Sequence, residues 1–195
     1  RSWVLDERSP AEMTHTPVTL PEAAGMTPPK LFADGADLPT ITRLAADPAI
    51  NGFTTNPTLL RRAGVSDYEG FARAALEVVG DRPISLEVFA DEPSEIARQA
   101  RLLAGWGDQV VVKVPVTTTD GTSTHELVAD LAADGVRLNV TALMTPRQVA
   151  VVSAALGGGP PSYISVFAGR VADAGVDPLP IMAASIAIMA GEADQ

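Results

Sequence analysis

The chain predicts an α/β fold, a parallel (β/α)8 barrel, on three observations. Short β-branched runs alternate with amphipathic stretches about every 25 residues, as consecutive βα units do. Polar residues recur on one face of these runs, and no G-x-G-x-x-G follows the first of them. An open doubly wound sheet fits the alternation too, but polar residues spread over every strand suit a closed interior better.

Six units can be placed, with strands near Leu31–Asp34, Gly52–Thr54, Ile84–Ala90, Val110–Val114, Leu138–Ala142 and Tyr163–Ala168. A barrel of this type takes about 250 residues. The chain has 195, so the barrel is expected to be truncated after its sixth unit, either as a fragment or as a chain completed from elsewhere, for example in a homo-oligomer. Residues 1–29 are polar and Pro-rich and are expected to form a flexible extension before a barrel domain at 30–195.

Helix starts follow from capping chemistry. Ser66 with Glu69, Ser123 with Glu126 and Thr145 with Gln148 each place a hydroxyl three residues before an acid or amide, and Pro146 suits a first helical position. Phe71, Ala74, Ala75 and Val78 recur at helical spacing, and Gly80 follows as a stop.

Within the strands, alternation groups Ser85, Glu87 and Phe89 on one face, as it does Val111 with Lys113, Asn139 with Thr141, and Ser165 with Phe167. Asp34 and Asn56 fall at or just after the ends of the first two strands. In a barrel these faces point inward.

Composition excludes several classes. A net charge of −10 without a Lys/Arg cluster argues against nucleic acid as a partner. No apolar run reaches the length of a membrane span, so no membrane partner is expected. The absence of Cys removes disulfides and thiolate sites and fits a reducing, cytoplasmic setting. His15 and His125 have no companions at metal-ligand spacing, and GGGPP at 157–161 lacks the Lys-Ser/Thr of a nucleotide loop, so no cofactor and no metal are expected.

Lys113 is the sharpest chemical signal. An ammonium among valines loses solvation, and the neutral amine is the form that attacks a carbonyl; the competing reading is a surface lysine on a strand edge. Asp34 and Glu87 offer two carboxylates near the same mouth, against a turn acid and a plain salt bridge to Lys113. Thr141 and Asn139 offer a hydroxyl and an amide, or simply bond each other. Asn56 before a proline suits a turn or helix cap. Arg170 suits a phosphate, or an ion pair with Asp173.

The motifs FADGAD, GFTTNPTLL, ISLEVFAD, VVVKVPVT, LNVTALMTPRQ and SVFAGRVAD occur in this order from Lys30 to about Pro180. Together they resemble the transaldolase family, which includes fructose-6-phosphate aldolase-like members. The resemblance implies a TIM-type barrel and cofactor-free, Schiff-base transfer of a dihydroxyacetone unit between sugar phosphates, as in the pentose phosphate pathway. It implies that Lys113 forms the Schiff base, that Asp34 is the acid/base of bond cleavage, and that Glu87 and Thr141 hold a water. Asn56, Asn139 and Ser165 would contact substrate hydroxyls and Arg170 a phosphate. The aldolase-like members tend to have Gln in place of Glu87 and Tyr in place of Phe167, so these two residues favour transaldolase over release of free dihydroxyacetone. The alternatives are such an aldolase, or an inactive truncated barrel that only binds sugar phosphate.

Overall fold

The computed structural model describes residues 29–193. The expected extension at 1–29 therefore lies, but for its last residue, outside the described residues. The elements run β1 (Leu31–Asp34), α1 (Leu38–Ala45), β2 (Ile50–Thr54), α2 (Pro57–Arg62), α3 (Tyr68–Val79), β3 (Ile84–Glu87), α4 (Pro93–Ala104), β4 (Val110–Pro115), α5 (His125–Ala133), β5 (Leu138–Leu143), α6 (Pro146–Leu156), β6 (Tyr163–Val166), α7 (Ala168–Asp173) and α8 (Leu179–Ala193). Every strand pairs in parallel with the next in sequence, β1 to β6. That order, with a helix after each strand, is the wall of a β/α barrel, and six units of it are present.

Alternation along each strand separates two faces. Ile84, Leu86, Val110, Val112, Val114, Leu138 and Val140 are buried in the apolar layer that also takes in Phe71, Ala75, Ile96, Leu103, Val128, Leu131 and Val149 from the helices. The opposite face carries the polar residues. In register, Asp34 lies beside Thr54 and Thr54 beside Ser85; Glu87 lies beside Lys113, Lys113 beside Asn139, and Asn139 beside Tyr163.

The sheet is curved enough for its first and last strands to touch. The rings of Phe32 on β1 and Tyr163 on β6 meet edge to face with centroids 5.3 Å apart. Gly52, the β2 partner of Phe32, makes this possible: a Cβ there would lie 2.3 Å from Phe32 Cε1.

Local chemistry sets the helix ends, in one case as expected and in two differently. Thr145 and Gln148 form a reciprocal capping box at α6, with Pro146 at its first position. At α3 the cap is Asp67 rather than Ser66; its carboxylate accepts from Gly70 N at 3.0 Å, and Gly70 has no side chain to obstruct it. At α5 no side chain caps the helix, because Thr124 Oγ1 donates to Pro115 O at 2.7 Å and Ser123 Oγ lies 3.1 Å from His125 Nδ1. The buried stripe of α3 is Phe71, Ala72, Ala75 and Val79, with Ala74 and Val78 only half-buried, so the helix is rotated from the expected face. β3 ends at Glu87 and not Ala90, and Phe89 turns away from the interior, 54% exposed and packed edge-on against Tyr68.

Candidate functional site

The interior face of the curved sheet lines a cavity of about 440 Å³, with Phe32, Asp34, Thr54, Asn56, Lys113, Asn139, Thr141, Ser165 and Phe167 on its walls. It opens where the strands end, the side on which barrels collect functional groups.

Lys113 is 8% exposed, and its Nζ has two partners. It donates to Thr55 O at 3.2 Å and lies 3.3 Å from Glu87 Oε2. The contact with a carbonyl beyond the end of β2 comes from the barrel's curvature, since Thr55 and Lys113 lie 58 residues apart. Glu87 does not line the cavity itself; it reaches Lys113 from the neighbouring strand. Burial pushes the Glu87 carboxyl above the usual carboxylate range, the Lys113 charge and hydrogen bond pull it back, and the Asp34 charge adds to the rise.

Asp34 ends β1 at the cavity mouth, partly in solvent. Desolvation raises its carboxyl above the usual range, and the Lys113 charge opposes the rise. Lys113 is thus ion-paired with one carboxylate, Glu87, and feels the charge of a second, Asp34.

A polar relay crosses the floor. Ser165 Oγ donates to Asn139 Oδ1 at 2.7 Å, and Asn139 Nδ2 donates to Ser85 Oγ at 3.0 Å. Asn139 is therefore fixed in orientation by hydroxyls on β3 and β6. Thr141 stands apart from this relay. Its Oγ1 is buried with no hydrogen-bond partner among the described residues, although it lines the cavity. Buried hydroxyls are normally satisfied, so this one points to a ligand or water in use. The next residue, Ala142, has φ 66° at a bulge where the β5–β6 register shifts between Val140 and Leu143. A left-handed alanine stores backbone strain, and here it adjoins the unpaired hydroxyl.

The remaining expected residues divide. Asn56 lines the cavity, but its Oδ1 caps α2 by accepting from Leu59 N at 2.9 Å, which commits one of its two acceptor sites and leaves its amide nitrogen for a ligand. Phe167 lines the cavity. Arg170 does not: it sits on α7, 3.7 Å from Asp173 with both side chains largely exposed, over a separate shallow depression that shares Val166 and Phe167. The ion pair with Asp173 is the arrangement adopted here. The residue types gave no sign of Thr55, whose contribution is a backbone carbonyl.

Residues 31–190 match the family described as Transaldolase/Fructose-6-phosphate aldolase. The chain belongs to this family. It is 34% identical over 148 residues to a "Probable transaldolase" of Dehalococcoides mccartyi, covering 76% of this chain and 65% of that protein. It is 37% identical over 149 residues to a "Probable transaldolase" of Streptococcus equi subsp. zooepidemicus, again covering 76% and 65%. With a protein of the same description from Maridesulfovibrio salexigens it shares 40% over 143 residues, covering 73% and 62%. The matched stretch thus spans less than two thirds of each relative. Among solved structures, a dihydrodipicolinate synthase from Rhodopseudomonas palustris superposes with a TM-score of 0.45 and 19% identity, covering 64% of this chain and 50% of that one. Among the described residues, no helix is long and apolar enough to cross a membrane.

Proposed function

We propose that this chain carries the chemistry of a transaldolase, with Lys113 as the Schiff-base amine. The observation that carries the reading is a buried lysine on β4, facing a polar cavity and 3.3 Å from a carboxylate oxygen. Family membership supports the reaction class, and the cavity with Glu87 behind it offers groups for each of its steps.

In this reading Lys113 passes its proton to the Glu87 carboxylate, and the neutral amine attacks the C2 carbonyl of a ketose phosphate. Protonation of the carbinolamine oxygen expels water and leaves an iminium. Glu87, with the unpaired Thr141 hydroxyl, places the water through which these protons move. Asp34 takes the proton from the C4 hydroxyl as the C3–C4 bond breaks; its electrons pass into the iminium, an aldose phosphate departs, and an enamine of dihydroxyacetone remains on Lys113. The enamine then attacks the aldehyde of a second aldose phosphate, Asp34 returns the proton, and hydrolysis of the new iminium frees the product ketose. Asn139 and Ser165, already oriented by the relay, bond the sugar hydroxyls, with the Asn56 amide beside them. Arg170 takes part in phosphate binding in this reading only by leaving Asp173, a change its exposure permits.

Phe167 favours transfer over release. It lines the cavity and has no hydroxyl with which to protonate the enamine. The test is a product assay on the protein with fructose 6-phosphate, with and without erythrose 4-phosphate. Sedoheptulose 7-phosphate formed only with the acceptor, and little free dihydroxyacetone without it, is the expected result. Free dihydroxyacetone as the main product in both would replace this reading with the aldolase one.

A further inference from the structure

Glu87 is the last residue of β3, and its carbonyl has lost the partner that the sheet would normally give it. On the β2 side, Phe53 N donates to Pro83 O at 2.8 Å and Thr55 N to Ser85 O at 3.0 Å. The next rung of this parallel ladder would join the amide of residue 57 to Glu87 O. Asn56 is still extended, with φ −154° and ψ 162°, so the backbone keeps a strand conformation up to residue 57. But residue 57 is proline and has no N–H to give.

The hydroxyl of Tyr68, the first residue of α3, donates to Glu87 O at 3.1 Å instead. Its ring is clamped edge-on by Phe89, with centroids 4.9 Å apart, and by Trp106 at 5.5 Å. Burial and the Glu87 charge hold the phenol well above its ordinary range, which keeps it a donor. On the other side of β3, Val88 N donates to the carbonyl of Lys113 itself at 3.1 Å. We propose that Tyr68 is a positioning residue: its hydroxyl supplies the ladder bond that Pro57 cannot make and so fixes Glu87 against Lys113.

Tyr68→Phe removes only the oxygen and leaves the ring in its aromatic clamp, so the variant is expected to fold. The chain has two lysines, and Lys30 is exposed, which makes it an internal reference. Reductive methylation with formaldehyde and cyanoborohydride at neutral pH is predicted to raise the Lys113-to-Lys30 labelling ratio by about threefold in the variant, the scale of one net hydrogen bond. An unchanged ratio overturns the proposal, and this readout needs no substrate. The catalytic consequence rests on the transaldolase reading: kcat falls by a similar factor while KM for fructose 6-phosphate stays level. A raised ratio in a protein without transaldolase activity sinks that reading and leaves Tyr68 standing. Loss of kcat and KM together at an unchanged ratio marks a general structural role and overturns the positioning.

Discussion

Lys113 and Glu87 are register partners on adjacent strands, and their side chains meet at 3.3 Å in a largely buried pair. A buried pair of this kind is costly to break, since either charge alone would lack compensation. Glu87→Gln keeps the size of the side chain but leaves Lys113 without its opposite charge, so it is expected to lower stability and to lose about 10²- to 10⁴-fold in kcat, the range of general acid–base groups. Steady-state kinetics on a variant with the wild-type circular dichroism spectrum checks this; kcat within threefold of wild type would remove Glu87 from the proton path.

Asp34 links the site to pH. Its carboxyl is raised above the ordinary 3.8. A raised folded value means that stability from this group is fully present below the unfolded value and is lost as pH rises through the folded one. Asp34→Asn should thus gain stability relative to wild type as pH increases from about 3 to 7, while its activity collapses. Urea denaturation across that range is the measurement, and a wild-type advantage that grows with pH contradicts the assignment.

Gly52 tests the contact between the first and last strands. Gly52→Ala places a methyl 2.3 Å from a Phe32 ring carbon, which must move and give up its contact with Tyr163. Overpacking of this kind costs about 1–3 kcal/mol. Chemical denaturation of the variant checks the loss; an unchanged midpoint would show that Phe32 relocates freely.

Phe167→Tyr adds a proton donor at the cavity wall. The ratio of free dihydroxyacetone to transferred product should rise, measured with fructose 6-phosphate and erythrose 4-phosphate together. An active variant with an unchanged ratio would show that residue 167 does not govern the fate of the enamine.

Much of this was legible in the sequence wherever information is local. β1 falls on the expected residues because an apolar run ends at an acid, and the α6 box is written in Thr145 and Gln148. The inward face was readable from alternation in β4 to β6, since a strand's period of two leaves little choice, whereas in β3 the alternation ends with the strand at Glu87 and Phe89 turns outward. What could not be read depends on neighbours far along the chain. The rotation of α3 is set by the surface it packs on, and Asp67 displaced Ser66 because Gly70 left room for its carboxylate. Tyr68 reads as an ordinary aromatic until β2 and β3 are in register and the missing amide of Pro57 becomes visible. For Arg170 the residues allowed a phosphate or Asp173, and only the placement of α7 shows the ion pair.

The most direct test of the central claim is borohydride reduction in the presence of fructose 6-phosphate, followed by mass spectrometry of the two lysine sites. The account predicts a stable dihydroxyacetone-derived adduct on Lys113, none on Lys30, and loss of the adduct in Lys113→Arg. An adduct on Lys30 alone, or none on either lysine while transfer activity persists, would contradict it.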